Sequence, residues 1–324
     1  MNSLIDSNNR RINYLRISVT DRCNLRCIYC MPEGGVPWIP HDEILTYEEI
    51  ATIVRIGAGL GINKIRITGG EPLTRAELPK LIEMLSGING IDEVSLTTNG
   101  TLLKEQVLAL KEAGLRRINI SLDSFKQEIF KQITRLGNLQ DVLNGIESAK
   151  DAGLNPVKID MVVIKDINDN EIIDFAKKTY EQGWHIRFIE FMPLSKIDGL
   201  VTAKEIRSRI EPLGKLEPSI PIIGNGPARY YRLPGAKGTI GFISAVTEPF
   251  CRWCNRLRLT SYGQLCPCLL SDDGVDLREP LRNNKYSEDE IRRLIIEVVA
   301  SKPTQHRLAT DNIALTRKMS QIGG

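Results

Sequence analysis

Histidine is scarce in this chain: its 324 residues hold three, scattered far apart. That argues against a serine–histidine–aspartate triad, and no carboxylate pair stands in a spacing suited to acid–base hydrolysis. Long apolar runs are missing too, and none approaches the length of a membrane span. The polar start, Met1 to Arg11, lacks the features of a secretory signal. An excess of one charge is also lacking. A net charge of +3 gives no reason to expect a nucleic-acid partner, although local basic clusters can still bind an anion. Thr68-Gly69-Gly70 lacks the Lys-Ser/Thr ending of a phosphate-binding P-loop. With 42% hydrophobic and 26% charged residues the composition is that of an ordinary globular protein. The length suits one large α/β unit plus an appendage.

Cysteine is what stands out. The seven cysteines fall in two groups, Cys23, Cys27, Cys30 and Cys251, Cys254, Cys266, Cys268. An odd number in CxxC-like clusters without an export signal suggests metal ligation over disulfides, in a cytoplasmic and oxygen-avoiding protein. The first group, Cys23-Asn24-Leu25-Arg26-Cys27-Ile28-Tyr29-Cys30, follows a strand-like run, Tyr14–Val19. Three thiolates so close read as ligands of one soft metal centre. A closed zinc or four-cysteine iron–sulfur site needs a fourth ligand, and the next candidate, His41, lies past a proline-bearing stretch. Three ligands on a four-iron cube leave one iron open to bind a substrate; a zinc-binding loop is the alternative.

In the second group, thirteen residues separate Cys254 from Cys268. Cys266 adds a fourth thiol, so a closed zinc or iron–sulfur site stays open as a reading. Between them, Arg256 and Arg258 share one face of a strand-like run. Planar guanidinium forks suit phosphate oxygens, whereas a solvated charged strand would need no ligand at all.

From Tyr14 to about Leu194, short β-rich runs alternate with helical stretches. The expected strands are Tyr14–Val19, Lys64–Thr68, Glu93–Thr97, Arg117–Leu122, Val157–Val163 and Ile186–Met192. Helices are expected near Thr46–Leu60, Ala76–Leu85, Leu102–Ala113, Leu139–Ala152 and Glu171–Gln182, with Gly61, Gly114, Gly153 and Gly183 just past four of them. Six β-α units in series predict an α/β fold, a partial (β/α)6 TIM-like barrel, with a smaller C-terminal domain beyond a soft boundary near Gly235. The strands also alternate in a way that doubly covered parallel strands normally do not. Arg16, Ser18 and Thr20 share one face, as do Arg66 and Thr68, then Ser95, Thr97 and Asn99, then Asn119, Ser121 and Asp123. Lys158 with Asp160 and Glu190 with Met192 continue the pattern. Polar rows turned into a barrel need a polar ligand or water to satisfy them. The turns Gly69-Gly70-Glu71-Pro72 and Thr97-Thr98-Asn99-Gly100 fall at carboxyl ends of strands, where ligands bind.

CxxxCxxC with Tyr29, followed by GGEP, resembles the radical S-adenosylmethionine (SAM) enzymes. The stretches LRISVTDRCNLRCIYC, IRITGGEP, SLTTNG, NISLDS, FIEFMP, FCRWCNRLRLT and the terminal Gly323-Gly324 resemble, over nearly the full length, the GTP 3′,8-cyclase family of molybdenum-cofactor biosynthesis. The resemblance implies that Cys23, Cys27 and Cys30 hold a first [4Fe-4S] cluster, and Cys251, Cys254 and Cys268 a second, with Cys266 unassigned. It implies SAM contacts at Tyr29, Gly70, Ser121 and Met192, and GTP contacts at Arg16, Arg66, Thr97, Lys158, Arg256, Leu257 and Arg258. Catalytic roles are implied for Arg256, Arg258 and the Gly323-Gly324 tail. It further implies an electron donor and a downstream cyclic pyranopterin monophosphate synthase, and it leaves a homodimer open. Competing readings are a peptide maturase from another radical-SAM branch and a zinc-stabilised nucleotide-binding module.

Overall fold

The computed structural model describes residues 3–194, 197, 199–220, 226–283, 287–306 and 319–323. The six expected strands form as β1 (Tyr14–Ser18), β2 (Lys64–Thr68), β3 (Glu93–Thr98), β4 (Arg117–Ser121), β5 (Val157–Val163) and β6 (His185–Glu190). They are followed by β7 (Glu217–Pro218), β8 (Arg229–Arg232), β9 (Ile240–Ile243), β10 (Arg256–Leu259), β11 (Gln264–Cys266) and β12 (Val275–Asp276). All twelve join one sheet in the order β12-β11-β10-β1-β2-β3-β4-β5-β6-β9-β8-β7. From β10 to β9 every neighbouring pair is parallel, and the outer strands add antiparallel hairpins. The sheet does not close on itself, so the barrel is partial as expected. Strands beyond Gly235 extend both of its edges.

The helices are α1 (Tyr47–Gly59), α2 (Leu78–Ser86), α3 (Leu103–Glu112), α4 (Gln127–Thr134), α5 (Leu139–Asp151), α6 (Ile172–Glu181), α7 (Ala203–Ile210), α8 (Arg278–Arg282), α9 (Glu288–Ala300) and α10 (Met319–Ile322). The apolar alternates of the strands face them: Leu15 and Ile17, Ile65 and Ile67, and Ile118 and Ile120 are all buried in one continuous core. Local sequence sets the helix ends. At α1 the Thr46 side chain accepts from Glu49 N–H while Glu49 accepts from Thr46 N–H, a reciprocal box that satisfies two orphan donors.

Within the β-α series α4 goes beyond the expected set, and after it α8, α9 and α10 do so too. The stretch between β4 and β5 suggests one helix yet holds two, α4 and α5. The buried residues Ile291, Leu294, Ile295, Val298 and Val299 of α9 recur at helical spacing, a signal the sequence does carry. Among the described residues no helix is long and apolar enough to cross a membrane.

Candidate active site

The loop after β1 carries the first cysteine triad, and α4 is what holds it. Arg26 and Ile28 donate their backbone N–H to the carbonyls of Thr134 and Ile133, at the end of α4. Arg135, with φ at +63°, turns its guanidinium back to the carbonyls of Arg26 (2.8 Å) and Met31 (3.1 Å). Gly69 and Gly70 fix the other side. A Cβ on Gly70 would stand 2.3 Å from the Arg22 carbonyl oxygen, and one on Gly69 2.9 Å from that of Thr20. The glycine pair therefore makes room for the cysteine loop itself, whose Thr20 and Arg22 carbonyls accept from Gly70 and Glu71 N–H. Glu71 is buried and accepts from Leu73 N–H, Asn99 N–H and the Thr98 hydroxyl, tying this turn to the end of β3. Burial raises its carboxyl to about 7.

The inward rows meet as expected, and the register aligns them. Arg258 of β10 stands beside Arg16 of β1, which stands beside Arg66 of β2. Thr97 follows on β3, its hydroxyl 3.1 Å from Arg66 Nη1. Lys158 lies across from Asn119 on β5. These side chains border one cavity of about 330 Å³, together with Tyr29, Gly70, Ser121 and Met192. Tyr29 is oriented by its hydroxyl, which donates to Asp123 (2.7 Å).

So many cations in one buried space disfavour their own charge. Burial lowers Lys158 to about 7, and Arg187, Arg117 and Arg66 push the same way. Burial also lowers Arg258, to about 10, with Arg256 adding to the effect. Arg16 falls well below the usual arginine range through burial and then the Arg258 charge. Asp160, the buried acid on β5, is already held by Arg187 through two contacts of 2.5 Å. A polyanion is the ligand that would relieve this set.

Three particulars depart from expectation. Leu257 is fully buried in the hydrophobic core, on the opposite face of β10 from Arg256 and Arg258, so its side chain does not reach the cavity. On β6 the inward polar residue is Arg187. Glu190 shares the face of Ile186 and Phe188, and its carboxylate accepts from Ala203 N–H at the start of α7 and from Val246 and Thr247 N–H. A carboxylate there complements the positive end of the helix. Arg117 and Arg187 also border the cavity; Arg117 extends the row of Asn119 and Ser121 on β4, and the β5–β6 register sets Arg187 beside Asp160.

Cys251, Cys254 and Cys268 border the same cavity as the first triad. Cys266 shares a register position with Arg258 but is 1% exposed, its sulfur lying against Gly274 and away from the cavity wall. The C-terminal segment enters here. The Gly323 carbonyl accepts from Arg258 (2.6 Å) and Arg16 (3.2 Å). Gly323 has φ +66°, and a Cβ there would collide with the Thr68 hydroxyl. Gly324 lies outside the described residues.

Both triads have the donor chemistry an iron–sulfur cluster needs. Leu25 N–H points at the Cys23 sulfur (3.4 Å) and Leu270 N–H at the Cys268 sulfur (3.5 Å), so each triad has a sulfur held by a backbone donor. Among the described residues no three His, Cys, Asp or Glu side chains already converge as ligands of a single ion.

A family model described as the radical SAM superfamily matches residues 17–179, half of the chain, and one described as Molybdenum Cofactor Synthesis C matches 184–308. Among solved structures, Streptococcus suis SuiB bound to S-adenosylmethionine superposes with a TM-score of 0.65 at 14% identity, covering 92% of this chain and 68% of that one. Native anSMEcpe with bound AdoMet gives 0.57 at 18%, covering 84% and 82%. Relatives named GTP 3′,8-cyclase are far more similar in sequence. That of Desulforamulus reducens is 49% identical over 99% of this chain and all of its own length. Those of Pelotomaculum thermopropionicum and Thermodesulfovibrio yellowstonii are 50% and 51% identical, each over 98% of this chain and 99% of their own. The chain belongs to the radical SAM superfamily and, within it, to the family of these GTP 3′,8-cyclases.

Proposed function

We propose that the cavity converts GTP to 3′,8-cyclo-7,8-dihydro-GTP, the first step of molybdenum-cofactor biosynthesis. The observation that carries this reading is the set of cations Arg16, Arg66, Lys158 and Arg258, enclosed between two cysteine triads, with the nearby acid Asp160 already paired with Arg187. When bound, the cluster and SAM would supply radical chemistry for hydrogen abstraction at ribose C3′ of GTP. Cys23, Cys27 and Cys30 would hold that cluster, and Tyr29, Gly70, Ser121 and Met192 border the space for SAM. Cys251, Cys254 and Cys268 would hold a second cluster on the base side.

The chain's own task is positioning. Arg16, Arg66 and Arg258, side by side in one register, neutralise the triphosphate, while Thr97 and Lys158 reach it from neighbouring strands. Arg256 flanks the base beside the second triad. Leu257 contributes through its backbone only. Ribose C3′ and guanine C8 belong to one nucleotide, so bond formation is already intramolecular; holding GTP in the attack conformer in a closed space supplies the alignment and keeps water from the radical. In this reading residues 1–235 carry the radical-generating half and 236–324 the substrate-side half, dividing at the Gly235 turn. A low-potential electron donor and a downstream enzyme that consumes the product complete it, in the cytoplasm.

The test is deuterium transfer from [3′-²H]GTP into 5′-deoxyadenosine, with anaerobically reconstituted protein, SAM and dithionite. Transfer is the expected result. 5′-Deoxyadenosine without deuterium would mean the substrate or abstraction site is wrong.

A further inference from the structure

Beside the second triad lies a lysine that none of these roles uses. Lys302 lies two residues past the end of α9 at Ala300, and it is 4% exposed. Its Nζ donates to the carbonyl oxygens of Arg256 (2.8 Å) and Pro267 (2.5 Å). Arg256 comes two residues after Cys254, and Pro267 immediately precedes Cys268. One ammonium thus bridges the two separate segments that carry these ligands.

The lysine is itself held from behind. The Arg10 guanidinium donates to the carbonyls of Lys302 (3.3 Å), Pro303 (2.8 Å) and Thr304 (3.4 Å), and also to that of Cys251 (2.8 Å). Asp6 fixes Arg10 through Nε at 2.6 Å. Lys302 and Arg10 together therefore grip the chain at or beside all three cysteines. A buried ammonium is costly unless paired, and the thiolates of Cys254 and Cys268 are the anionic groups acting on this one.

We propose that Lys302 is a positioning residue for the second iron–sulfur cluster, holding its two ligand segments together and placing a positive charge beside their thiolates. This rests on the reading of Cys251, Cys254 and Cys268 as a cluster site. Outer-shell groups of this kind govern both metal retention and reduction potential.

The test uses a chain in which Cys23, Cys27 and Cys30 are replaced by Ser, so that only the second triad can load. After anaerobic reconstitution, iron and sulfide per chain, the rate of iron loss to a chelator, and the midpoint potential by EPR titration are measured. Lys302→Met is expected to lose iron ~10-fold faster, in line with the usual cost of removing an outer-shell partner. Its potential should also move more negative, because the added electron loses a nearby cation. Lys302→Gln keeps hydrogen-bond donors without the charge; it should show the same potential shift with slower iron loss than the Met variant. If the Met variant does not fold, the Gln variant decides. Wild-type retention and potential in the Gln variant, or a change in GTP affinity alone, overturns the proposal. No iron in the triple-serine background overturns the cluster reading itself, and the proposal with it.

Discussion

The first cysteine triad is carried by eight consecutive residues, whereas the second is split between two segments with the β10–β11 hairpin between them. Their electrostatic settings differ as well. Burial pushes Cys23 up to about 11 and Cys30 to about 12; Arg26 acts against it at Cys23 without overcoming it. At Cys254 burial pushes the same way, yet Arg256 and Lys302 overcome it and bring the thiol down to about 6. The contrast shows two ways to build a thiolate site. One fixes its geometry in a short loop clamped by α4 and the glycine turn. The other draws on the N-terminal arm, β10, β11 and the segment after α9, and offsets the crowded thiolate charge with arginine and lysine.

The largest expected effect comes from emptying each triad in turn. Cys23, Cys27 and Cys30→Ala should abolish SAM cleavage, because no open iron remains to bind the cofactor. Cys251, Cys254 and Cys268→Ala should leave SAM cleavage measurable while abolishing cyclised product. Counting 5′-deoxyadenosine and product in the same reactions separates the two; equal loss of both in both variants would dissolve the functional distinction.

Legibility from sequence followed the same divide. CxxxCxxC is a local pattern, and the six strands came out within two residues because their alternation is strong. The β6 face was misjudged, since Arg187 and Glu190 lie three residues apart and so on opposite faces, and only pairing with Asp160 shows which one looks inward. What the sequence did not reveal was the support. Arg10, Arg135 and Lys302 act on carbonyls 35 to 294 residues distant, from the Lys302 link to Pro267 to the Arg10 link to Thr304, and carbonyl contacts leave no side-chain pattern to read. Helix α4 was missed because a single connecting helix satisfied the β-α rhythm.

The cations between the triads sharpen the comparison at intermediate size. On the barrel side Lys158 is lowered to about 7, so in the free protein it is largely neutral at pH 8; Arg258, at about 10, stays charged there. A polyanion restores the charge of Lys158, and GTP binding near pH 8 should take up as much as about one proton. Affinity accordingly falls as pH rises above 7. For the free protein the sign is also fixed: a lysine whose folded value is depressed opposes folding most below about 7, so stability rises between there and the ordinary value of 10.5. Calorimetry in two buffers of different ionisation enthalpy reads the uptake. Lys158→Met should abolish it and Arg258→Lys should not; identical heats in both buffers would contradict the assignment.

The smallest effect is expected at Cys266, and it decides whether the second triad is a triad. Its sulfur is buried against Gly274, and it pairs in register with Arg258 without bordering the cavity. Cys266→Ala removes one buried sulfur, a cost of about 1 kcal/mol in packing. Iron content, EPR signal and product formation should match the parent chain, with only a small drop in melting temperature. Loss of iron comparable to that of Cys268→Ala would instead make the second site a closed four-thiolate centre. Such a centre has no open iron for the base of GTP, and the two cysteine sites would then differ in chemistry as well as in construction.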